Sequence, residues 1–438
     1  MLTELQDKKH SLGSDETFIS KKPKVEPTPA GPLFPKNKGR KHNMAHVDEL
    51  ADKYLPKFNP TPFFQSKNDG TVEFCITGTE CAKVFAKLQG QGVAIEYDKV
   101  SLLAAKLAGA TKIKGIPLFY PNQDENIARE DFDRLYAVVN DVPSLNGLLK
   151  QGLFALFNQS SDNDPFSPTA STNKFQCFYI PNSPALRVGM KASDFFARTE
   201  RLNVGMLQRK SPLAYWREDN FRFQLFKKIV EDALDSDIPI CSRKVLEKTC
   251  TYAGYSCQFR PLALPLQIEL LLKLYPTLPQ HNWRILDLCG GWCDRLTGAL
   301  ADKRISHCVY VETNEKLIPL ARRVNEAYNK HATKVHFLNK PAETLQKSDF
   351  QGDGFNPDMK FSMMFTSPPY YDIHDYHGTQ TSTRYKIKNN LKESIRAWLQ
   401  KFMYPFLDRA DEFLEPGGFI AINIDDVRDR LGEALLSF

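Results

Sequence analysis

Five short apolar segments follow one another in the second half of the chain, and each has the length of a buried strand. They are Arg284–Leu288, Cys308–Glu312, Val335–Leu338, Phe361–Phe365 and Phe419–Ile424. Helix-like stretches separate some of them, most clearly Glu315–Tyr328 and Ile395–Phe413. Apolar strands that alternate with helices are typical of a parallel sheet with helices on both faces. This pattern predicts an α/β fold with a Rossmann-like sheet.

Residue types suited to ligand binding stand at the carboxyl ends of three of these predicted strands. The first strand runs into Cys289-Gly290-Gly291, where glycines let the backbone approach a ligand and the next helix start favours negative charge. The second ends at Glu312, where an acid in such sheets meets the hydroxyls of a ribose. The fourth runs into the turn Ser367-Pro368-Pro369-Tyr370. Because ligands bind at the carboxyl edge of doubly wound sheets, the three features are predicted to converge on one crevice.

The proline turn has the groups that an exocyclic amine needs. Two consecutive prolines fix φ and lack N–H groups, so their carbonyl acceptors can point outward. Ser367 adds a hydroxyl acceptor, and Tyr370 adds a flat ring on which a base can stack. A Pro-Pro pair alone marks many ordinary loops, so the turn is informative only together with the glycine turn and Glu312. Together they favour an enzyme that uses a nucleoside cofactor.

Three motifs resemble those of the amino-methyltransferases, which use S-adenosylmethionine to methylate the exocyclic nitrogen of cytosine or adenine in DNA. Asp287–Leu296 is similar to a form of the cofactor motif common in phage and large-virus members. The Ser-Pro-Pro-Tyr turn, followed by Tyr371-Asp372 and Tyr376, resembles their catalytic motif. Phe413–Ile424 is similar to the leader, Pro-Gly-Gly and strand of many methyltransferases of this fold. The resemblance covers residues 256–438, and none is evident before Tyr255.

The resemblance implies S-adenosylmethionine as the cofactor and assigns roles to individual residues. The cofactor contacts that it implies are Asp287, Cys289, Gly290, Gly291, Glu312, Asn339 and Phe259. Glu343 is an alternative to Asn339 beside the adenine ring, and Pro261 accompanies Phe259 beside the methionine end. The catalytic residues that it implies are Ser367, Pro368, Pro369 and Tyr370.

The implied partner is double-stranded DNA, from which the target base is flipped into the pocket. Tyr370 would stack on the base, worth about 1–3 kcal/mol, while Ser367 Oγ and the Pro368 carbonyl accept from the amine. Alignment with the methyl sulfonium then matters more than the strength of a base. Serine at the first motif position is commoner among cytosine-N4 enzymes, so cytosine N4 is preferred over adenine N6. Methylation at cytosine C5 is disfavoured, because it needs a Pro-Cys nucleophile and the chain has no Pro-Cys dipeptide.

Two departures from the family pattern leave other functions open. Trp292-Cys293-Asp294 lacks a glycine that relatives have, so Cys293 is expected to crowd the methionine moiety. Only Asp425–Phe438 follow the fifth strand, so the last two strands of the family's sheet are expected from an upstream segment or are missing. The alternatives are an RNA or protein amide-nitrogen methyltransferase, and a catalytically inactive subunit that binds nucleic acid.

Length and local composition divide the chain into several predicted parts. Residues 1–60 are polar, with two basic clusters, and are predicted to form a disordered tail that could contact phosphates or act as a nuclear address. Residues 61–165 are predicted to form an α+β module of unknown role, and 166–255 a mainly helical connector. Phe221–Leu234 is its clearest amphipathic helix. Residues 256–438 are the predicted methyltransferase domain.

Composition limits the class of protein only mildly. No stretch is apolar enough to span a membrane or to serve as a secretory signal. The net charge of +6 permits a polyanionic partner without requiring one. Nine cysteines, an odd number, suit a reduced intracellular protein of the cytoplasm or nucleoid, or of the nucleus in a eukaryote. Cys241, Cys250 and Cys257 lack the spacing of zinc ligands, so no metal is predicted.

Overall fold

The computed structural model describes residues 44–67, 72–118, 124–153, 184–206, 209–236, 238–253, 260–369, 374–375 and 391–423. Its α-helices are α1 Met44–Tyr54, α2 Gly78–Gly90, α3 Glu96–Ile113, α4 Glu125–Val139, α5 Val142–Leu153, α6 Met190–Leu202, α7 Pro212–Trp216, α8 Asp219–Leu234, α9 Ser242–Tyr252, α10 Ala263–Leu274, α11 Asp294–Ala301, α12 Leu317–Tyr328, α13 Leu391–Trp398 and α14 Tyr404–Phe413. Its strands are β1 Phe64–Ser66, β2 Val72–Ile76, β3 Gly205–Met206, β4 Ile240–Cys241, β5 Trp283–Asp287, β6 Ile305–Val311, β7 Lys334–Leu338, β8 Phe361–Thr366, β9 His374–Asp375 and β10 Leu414–Ile422. Within these ranges no helix is both long and apolar enough to cross a bilayer.

The central sheet contains five parallel strands in the order β10-β8-β5-β6-β7. The chain starts in the middle at β5, moves outward through β6 and β7, and then returns to the other side through β8 and β10. The strand order therefore reverses between β5 and β8, which is the topological switch point of a doubly wound sheet. The predicted α/β fold with a Rossmann-like sheet is confirmed, and each of the five predicted apolar segments forms one of its strands.

The burial of the strands and helices follows from their apolar patterns. All six residues of β8 are buried, as expected for an apolar run in the centre of a parallel sheet. In α12, Leu317, Ala321, Val324 and Tyr328 are buried, and their spacing of three to four residues places them on one face of the helix. This face packs against the sheet together with apolar residues of α10 and α11.

The second face of the sheet is covered by the helical region between β8 and β10. Trp398, Phe402 and Phe406 are buried there in one apolar cluster with residues of β8, which agrees with their interpretation as core residues. A π-helical turn at Leu399–Met403 separates α13 from α14, immediately before Pro405. Proline cannot donate a backbone hydrogen bond, so a helix irregularity at this position is expected.

The packing divides the upstream chain differently from the predicted ranges. Helix α1 lies inside the range predicted as a tail, and its Val47 and Ala51 are buried in a core with α2, α3 and α8. Helices α4 and α5, predicted as part of the upstream module, contribute Phe132 and Leu145 to the core of the central sheet instead. Helix α8, predicted as connector, contributes Phe226 to the upstream core. The upstream core is therefore discontinuous in sequence.

Within the described ranges, no upstream strand completes the central sheet. Strands β1, β2 and β4 form a separate antiparallel sheet, and β3 pairs only with β9. Strand β10 is thus an edge strand among the described residues, and its Ile420 is 44% exposed. The expectation that an upstream segment supplies further strands is not met by these residues.

Candidate functional site

The three predicted ligand-binding features lie at one edge of the central sheet. Strands β5, β6 and β8 are parallel neighbours, so their carboxyl ends share an edge. The amide of Gly290 donates to the carbonyl of Val311 over 2.7 Å, and the amide of Gly291 donates to Glu312 Oε2 over 2.9 Å. Thr366, the residue before Ser367, donates its hydroxyl to Asp287 Oδ1 over 3.0 Å. Direct hydrogen bonds therefore join the glycine turn to Glu312, and β5 to the strand that precedes the proline turn.

Glu312 is half-buried, and its carboxylate accepts hydrogen bonds from backbone amides. Oε2 accepts from Gly291, and Oε1 accepts from Asn314 over 2.8 Å. Burial raises the pKa of Glu312, although the amide donors act in the opposite direction. Asn339 is exposed beside it and donates from Nδ2 to the backbone carbonyl of Glu312 over 2.8 Å. An acid and an amide therefore stand together at the ends of β6 and β7, whereas Glu343 lies in the next short turn, Ala342–Thr344.

The glycine turn is shaped by the ring of Tyr310 beneath it. A Cβ atom on Gly290 would lie 2.3 Å from that ring, which is completely buried. The Tyr310 hydroxyl donates to the carbonyl of Gly291, whose φ of 60° lies in the left-handed region. Gly290 is buried, and its lack of a side chain lets the backbone lie against the ring, while Gly291 beside it is half-buried.

Cys293 occupies a different environment from the one that was expected. Its φ is 66°, a left-handed conformation that favours glycine. The side chain is fully buried, with Sγ 3.7 Å from the Tyr310 hydroxyl, and burial raises the pKa of the thiol to about 12. The thiol therefore belongs to the core beneath the turn, because its space is enclosed by the residues around Tyr310, and it does not crowd the crevice.

Asp287 is buried at the end of β5, and its carboxylate binds the neighbouring strand and the glycine turn. Asp287 is only 2% exposed, and its contact with a cofactor stays a prediction. Oδ2 accepts from Arg295 Nε over 2.9 Å, while Oδ1 accepts from Thr366 and from the amide of Cys289. Arg295 also donates to the carbonyl of Cys289. A buried charge needs this degree of pairing, and the pairing leaves Asp287 as a support for the loop.

Cys289 stands between this support and the crevice. It is half-buried, and its amide and carbonyl are held by Asp287 and Arg295 respectively. Burial, reinforced by the nearby acids Asp287 and Glu312, raises the pKa of its thiol well above the usual value. The thiol is therefore protonated at neutral pH and is a neutral polar group, not a nucleophile.

The proline turn is held by three neighbouring elements. Ser367 is half-buried, and its hydroxyl donates to the carbonyl of Asn423 and accepts from Asn423 Nδ2, each over 3.3 Å. The carbonyl of Pro369 accepts from the buried indole of Trp398 over 3.2 Å, and Pro368 is buried. The turn is therefore fixed by the end of β8, by the residue after β10 and by the end of α13.

Asn423 and Trp398 were not predicted as site residues. Asn423 lies inside the predicted segment Phe419–Ile424, and in the structure it directly follows β10. Its being the one polar residue in that segment was the signal that could have indicated it. Trp398 was correctly interpreted as core, but nothing in its sequence context indicates where the indole N–H donates. Tyr370 and Phe259 lie outside the described residues.

The connector contacts the segment that follows the proline turn. Gly205 and Met206 of β3 pair in antiparallel fashion with Asp375 and His374 of β9. The segment 374–375 is thereby attached to the connector. Among the described residues, no group of three or more His, Cys, Asp or Glu side chains is arranged to hold a metal ion.

The residues at this edge of the sheet have the donors and acceptors that a nucleoside needs. A carboxylate at the end of β6 can accept from two ribose hydroxyls, and an exposed amide at the end of β7 can bind a base edge. Gly291 is half-buried and has no side chain, so a ligand can lie against the backbone at this position. On the other side of the switch point, Ser367 presents a hydroxyl on a rigid turn. The residues therefore fit a nucleoside cofactor next to a second polar ligand.

Comparison with known proteins adds little to this geometry. No model of a protein family matches the chain, and no curated protein matches it. Among solved structures, it matches a SAM-dependent methyltransferase from Agrobacterium tumefaciens with 14% sequence identity and a TM-score of 0.26. The match covers 40% of this chain and 49% of that one, about half its length. A likeness this weak carries no argument about function.

Proposed function

We propose that this chain transfers a methyl group from S-adenosylmethionine to the exocyclic amine of a flipped DNA base, with cytosine N4 preferred to adenine N6. The observation that supports the proposal best is the convergence of Glu312, the glycine turn and Ser367 at the switch point of the sheet. A cofactor and an acceptor base held on the two sides of this point would lie next to each other.

On the cofactor side, the chain supplies groups for binding and orientation. Glu312 would accept from the ribose hydroxyls, Asn339 would contact the adenine, and the backbone at Gly290 and Gly291 would lie along the methionine end. When bound, S-adenosylmethionine supplies an electrophilic methyl group. Hydrogen bonds to the amide and the carbonyl of Cys289 hold the glycine turn in place, so binding energy is not lost in ordering this turn.

On the acceptor side, Ser367 would bind the amine. A hydroxyl has one donor proton and two acceptor lone pairs, and Asn423 takes the proton and one lone pair. One lone pair on Ser367 Oγ is left to accept from the exocyclic N–H. Trp398 holds the turn in place through Pro369. Tyr370 would stack on the flipped base, and the preference for cytosine N4 rests on serine at the first motif position.

The test is an assay with labelled cofactor and a mixture of duplex DNA, RNA and protein substrates, followed by digestion to nucleosides and amino acids. We expect label in N4-methylcytosine of DNA. Label in RNA or in protein amides would support those acceptors instead and contradict DNA as the substrate. Cofactor binding without transfer to any acceptor would indicate a catalytically inactive binding subunit.

Ser367→Ala tests the acceptor side of the site. Loss of this positioned acceptor is expected to lower the rate of transfer by about 10²-fold or more, as for other preorganised polar groups, while the cofactor Kd stays within about twofold. The matched control is Ser362→Ala, at the amino end of the same strand, where the buried hydroxyl accepts only from the amide of Arg284 among its described hydrogen bonds. Equal rates for the two variants would refute the role of Ser367.

A further inference from the structure

Thr366 connects the two halves of the crevice through one buried carboxylate. It is the last residue of β8 and is completely buried, and its hydroxyl lies 3.0 Å from Asp287 Oδ1. The two residues are 79 positions apart in the chain and belong to neighbouring central strands. The side chain of Thr366 therefore reaches from the strand of the proline turn to the strand of the glycine turn.

The same carboxylate holds the glycine turn. Asp287 Oδ1 also accepts from the amide of Cys289, and Oδ2 accepts from Arg295, which in turn binds the carbonyl of Cys289. Cys289 precedes Gly290 directly. A movement of the glycine turn must therefore change the position of Asp287 or break one of these hydrogen bonds.

The other end of the connection is equally fixed. Thr366 precedes Ser367 directly, and its carbonyl accepts from the amide of Asn423 over 2.8 Å. Asn423 also holds the hydroxyl of Ser367 from both sides. A rotation or shift of Thr366 is thus passed to Ser367 through the backbone and through Asn423. Buried hydrogen bonds to a charged acceptor are strong and influence one another, which makes this chain of contacts stiff.

We propose that the hydroxyl of Thr366 couples the two ligand sites, so that a nucleoside cofactor on the glycine turn strengthens the binding of DNA at Ser367. This inference rests on the proposed function and adds a regulatory role to a residue that touches neither ligand. Thr366 acts through Asp287 and is a positioning residue. The expected coupling is about tenfold in affinity, which lies within the range usual for linked sites.

The variants separate the hydroxyl from the packing of the side chain. Thr366→Val removes the hydroxyl and keeps the shape, whereas Thr366→Ser keeps the hydroxyl. Thr366→Ala removes the same hydroxyl without placing a methyl group against Asp287. It is used instead of Thr366→Val if the valine variant does not fold. The matched control is Thr333→Val, since Thr333 is also buried and its hydroxyl hydrogen-bonds to the carbonyl of Ile305 and to His331 Nε2 at the opposite edge of the sheet.

The measurement uses the full chain, S-adenosylhomocysteine and a fluorescently labelled duplex of mixed sequence. The duplex Kd is determined by fluorescence anisotropy with and without saturating S-adenosylhomocysteine. We expect the cofactor product to tighten duplex binding by about tenfold in the wild type, Thr366→Ser and Thr333→Val, and to have almost no effect in Thr366→Val. By linkage, the duplex must tighten the binding of S-adenosylhomocysteine by the same factor.

The inference and the proposed function fail in different ways. Coupling that persists in both Thr366→Val and Thr366→Ala, or that is absent from the wild type, overturns the inference even if methyl transfer to DNA is observed. A wild-type chain that binds neither S-adenosylhomocysteine nor duplex overturns the proposed function, and the inference with it. Loss of coupling in Thr333→Val as well would assign the effect to general loosening of the sheet and overturn the role of Thr366.

Discussion

At the scale of single residues, the crevice uses two acids in opposite ways. Asp287 is buried, and Arg295, Thr366 and a backbone amide satisfy its carboxylate. Glu312 is half-buried and has backbone and hydroxyl donors but no cationic partner among its described contacts. A paired and enclosed acid stabilises a loop, whereas an acid that keeps contact with the crevice can bind a ligand.

The raised pKa of Glu312 predicts a pH dependence for cofactor binding. The charged carboxylate accepts from the ribose hydroxyls, and protonation removes part of that capacity. As the pH falls through the raised pKa, the affinity for S-adenosylhomocysteine should fall, beginning at a higher pH than for an exposed glutamate. Calorimetry across this pH range on the wild type and on Glu312→Gln checks this, because the variant cannot titrate at this position. Identical pH profiles would contradict the role of Glu312.

Gly290→Ala is expected to disrupt the cofactor side. The new Cβ would lie 2.3 Å from the ring of the buried Tyr310, so the turn or the ring must shift. We expect a loss of stability of about 1–3 kcal/mol, as for other overpacked cores, and a large rise in the Kd for S-adenosylhomocysteine. Gly109→Ala in α3 is the control, since it meets no atom within 4 Å and should stabilise a helix by about 0.5–1 kcal/mol. Unchanged cofactor affinity in Gly290→Ala would argue against contact between the ligand and this turn.

At the scale of secondary-structure elements, the end of α13 sets the geometry of the proline turn. The helix changes to a π-helical turn after Trp398 and resumes as α14 before β10. The indole of Trp398 packs in the core beside β8, and its N–H reaches the carbonyl of Pro369. Trp398 therefore joins the helical layer to the end of β8. A change in the packing of α13 would move the proline turn.

Trp398→Phe separates the packing of this residue from its hydrogen bond. Phenylalanine keeps an aromatic ring in the core but cannot donate to Pro369, so the turn should loosen. We expect a transfer rate about tenfold lower, with an unchanged Kd for the cofactor, because alignment at the acceptor side is lost. Trp283→Phe is the control, since that buried indole donates to Pro279 over 3.0 Å, at the other end of the sheet. Equal transfer rates in the two variants would contradict this role.

At the scale of the whole molecule, the upstream chain belongs to two cores. Phe132 of α4 stacks on Tyr328 of α12 with ring centroids 4.4 Å apart, so helices far upstream complete the sheet core. Ser193 of α6 donates a hydrogen bond to Asp294 at the start of α11. Phe74 of β2 contacts Phe226 of α8 in the other core. The sheet region predicted as residues 256–438 therefore shares its apolar surface with residues outside that range.

Phe132→Ala should destabilise the central sheet even though Phe132 lies far outside the predicted methyltransferase range. A buried phenylalanine replaced by alanine costs about 3–5 kcal/mol. In hydrogen exchange, we expect faster exchange in α12 for Phe132→Ala and faster exchange in α8 for Phe74→Ala. Faster exchange confined to α4 in the first variant would show that the upstream helices are not part of the sheet core.

The sequence alone predicted the parallel sheet and the edge of it at which the candidate binding residues lie. An unbroken apolar run indicates a buried strand, whatever the rest of the fold is. A polar residue directly after such a run therefore lies at the carboxyl end of that strand. This reasoning placed Glu312 and the turn that contains Ser367 at that edge, whereas Asn339 came from the resemblance to the amino-methyltransferases. It also predicted the core position of Trp398.

Only the tertiary structure decided which groups meet. The hydrogen bonds of Thr366 to Asp287, Ser367 to Asn423 and Pro369 to Trp398 join residues 79, 56 and 29 positions apart. An apolar face on a helix indicates that the face is buried but not which surface covers it. The sequence therefore does not show that α8 packs in the upstream core and α4 in the core of the central sheet. Partners that are distant in sequence depend on the packing of the whole chain, and that packing made Asp287 a support for the crevice.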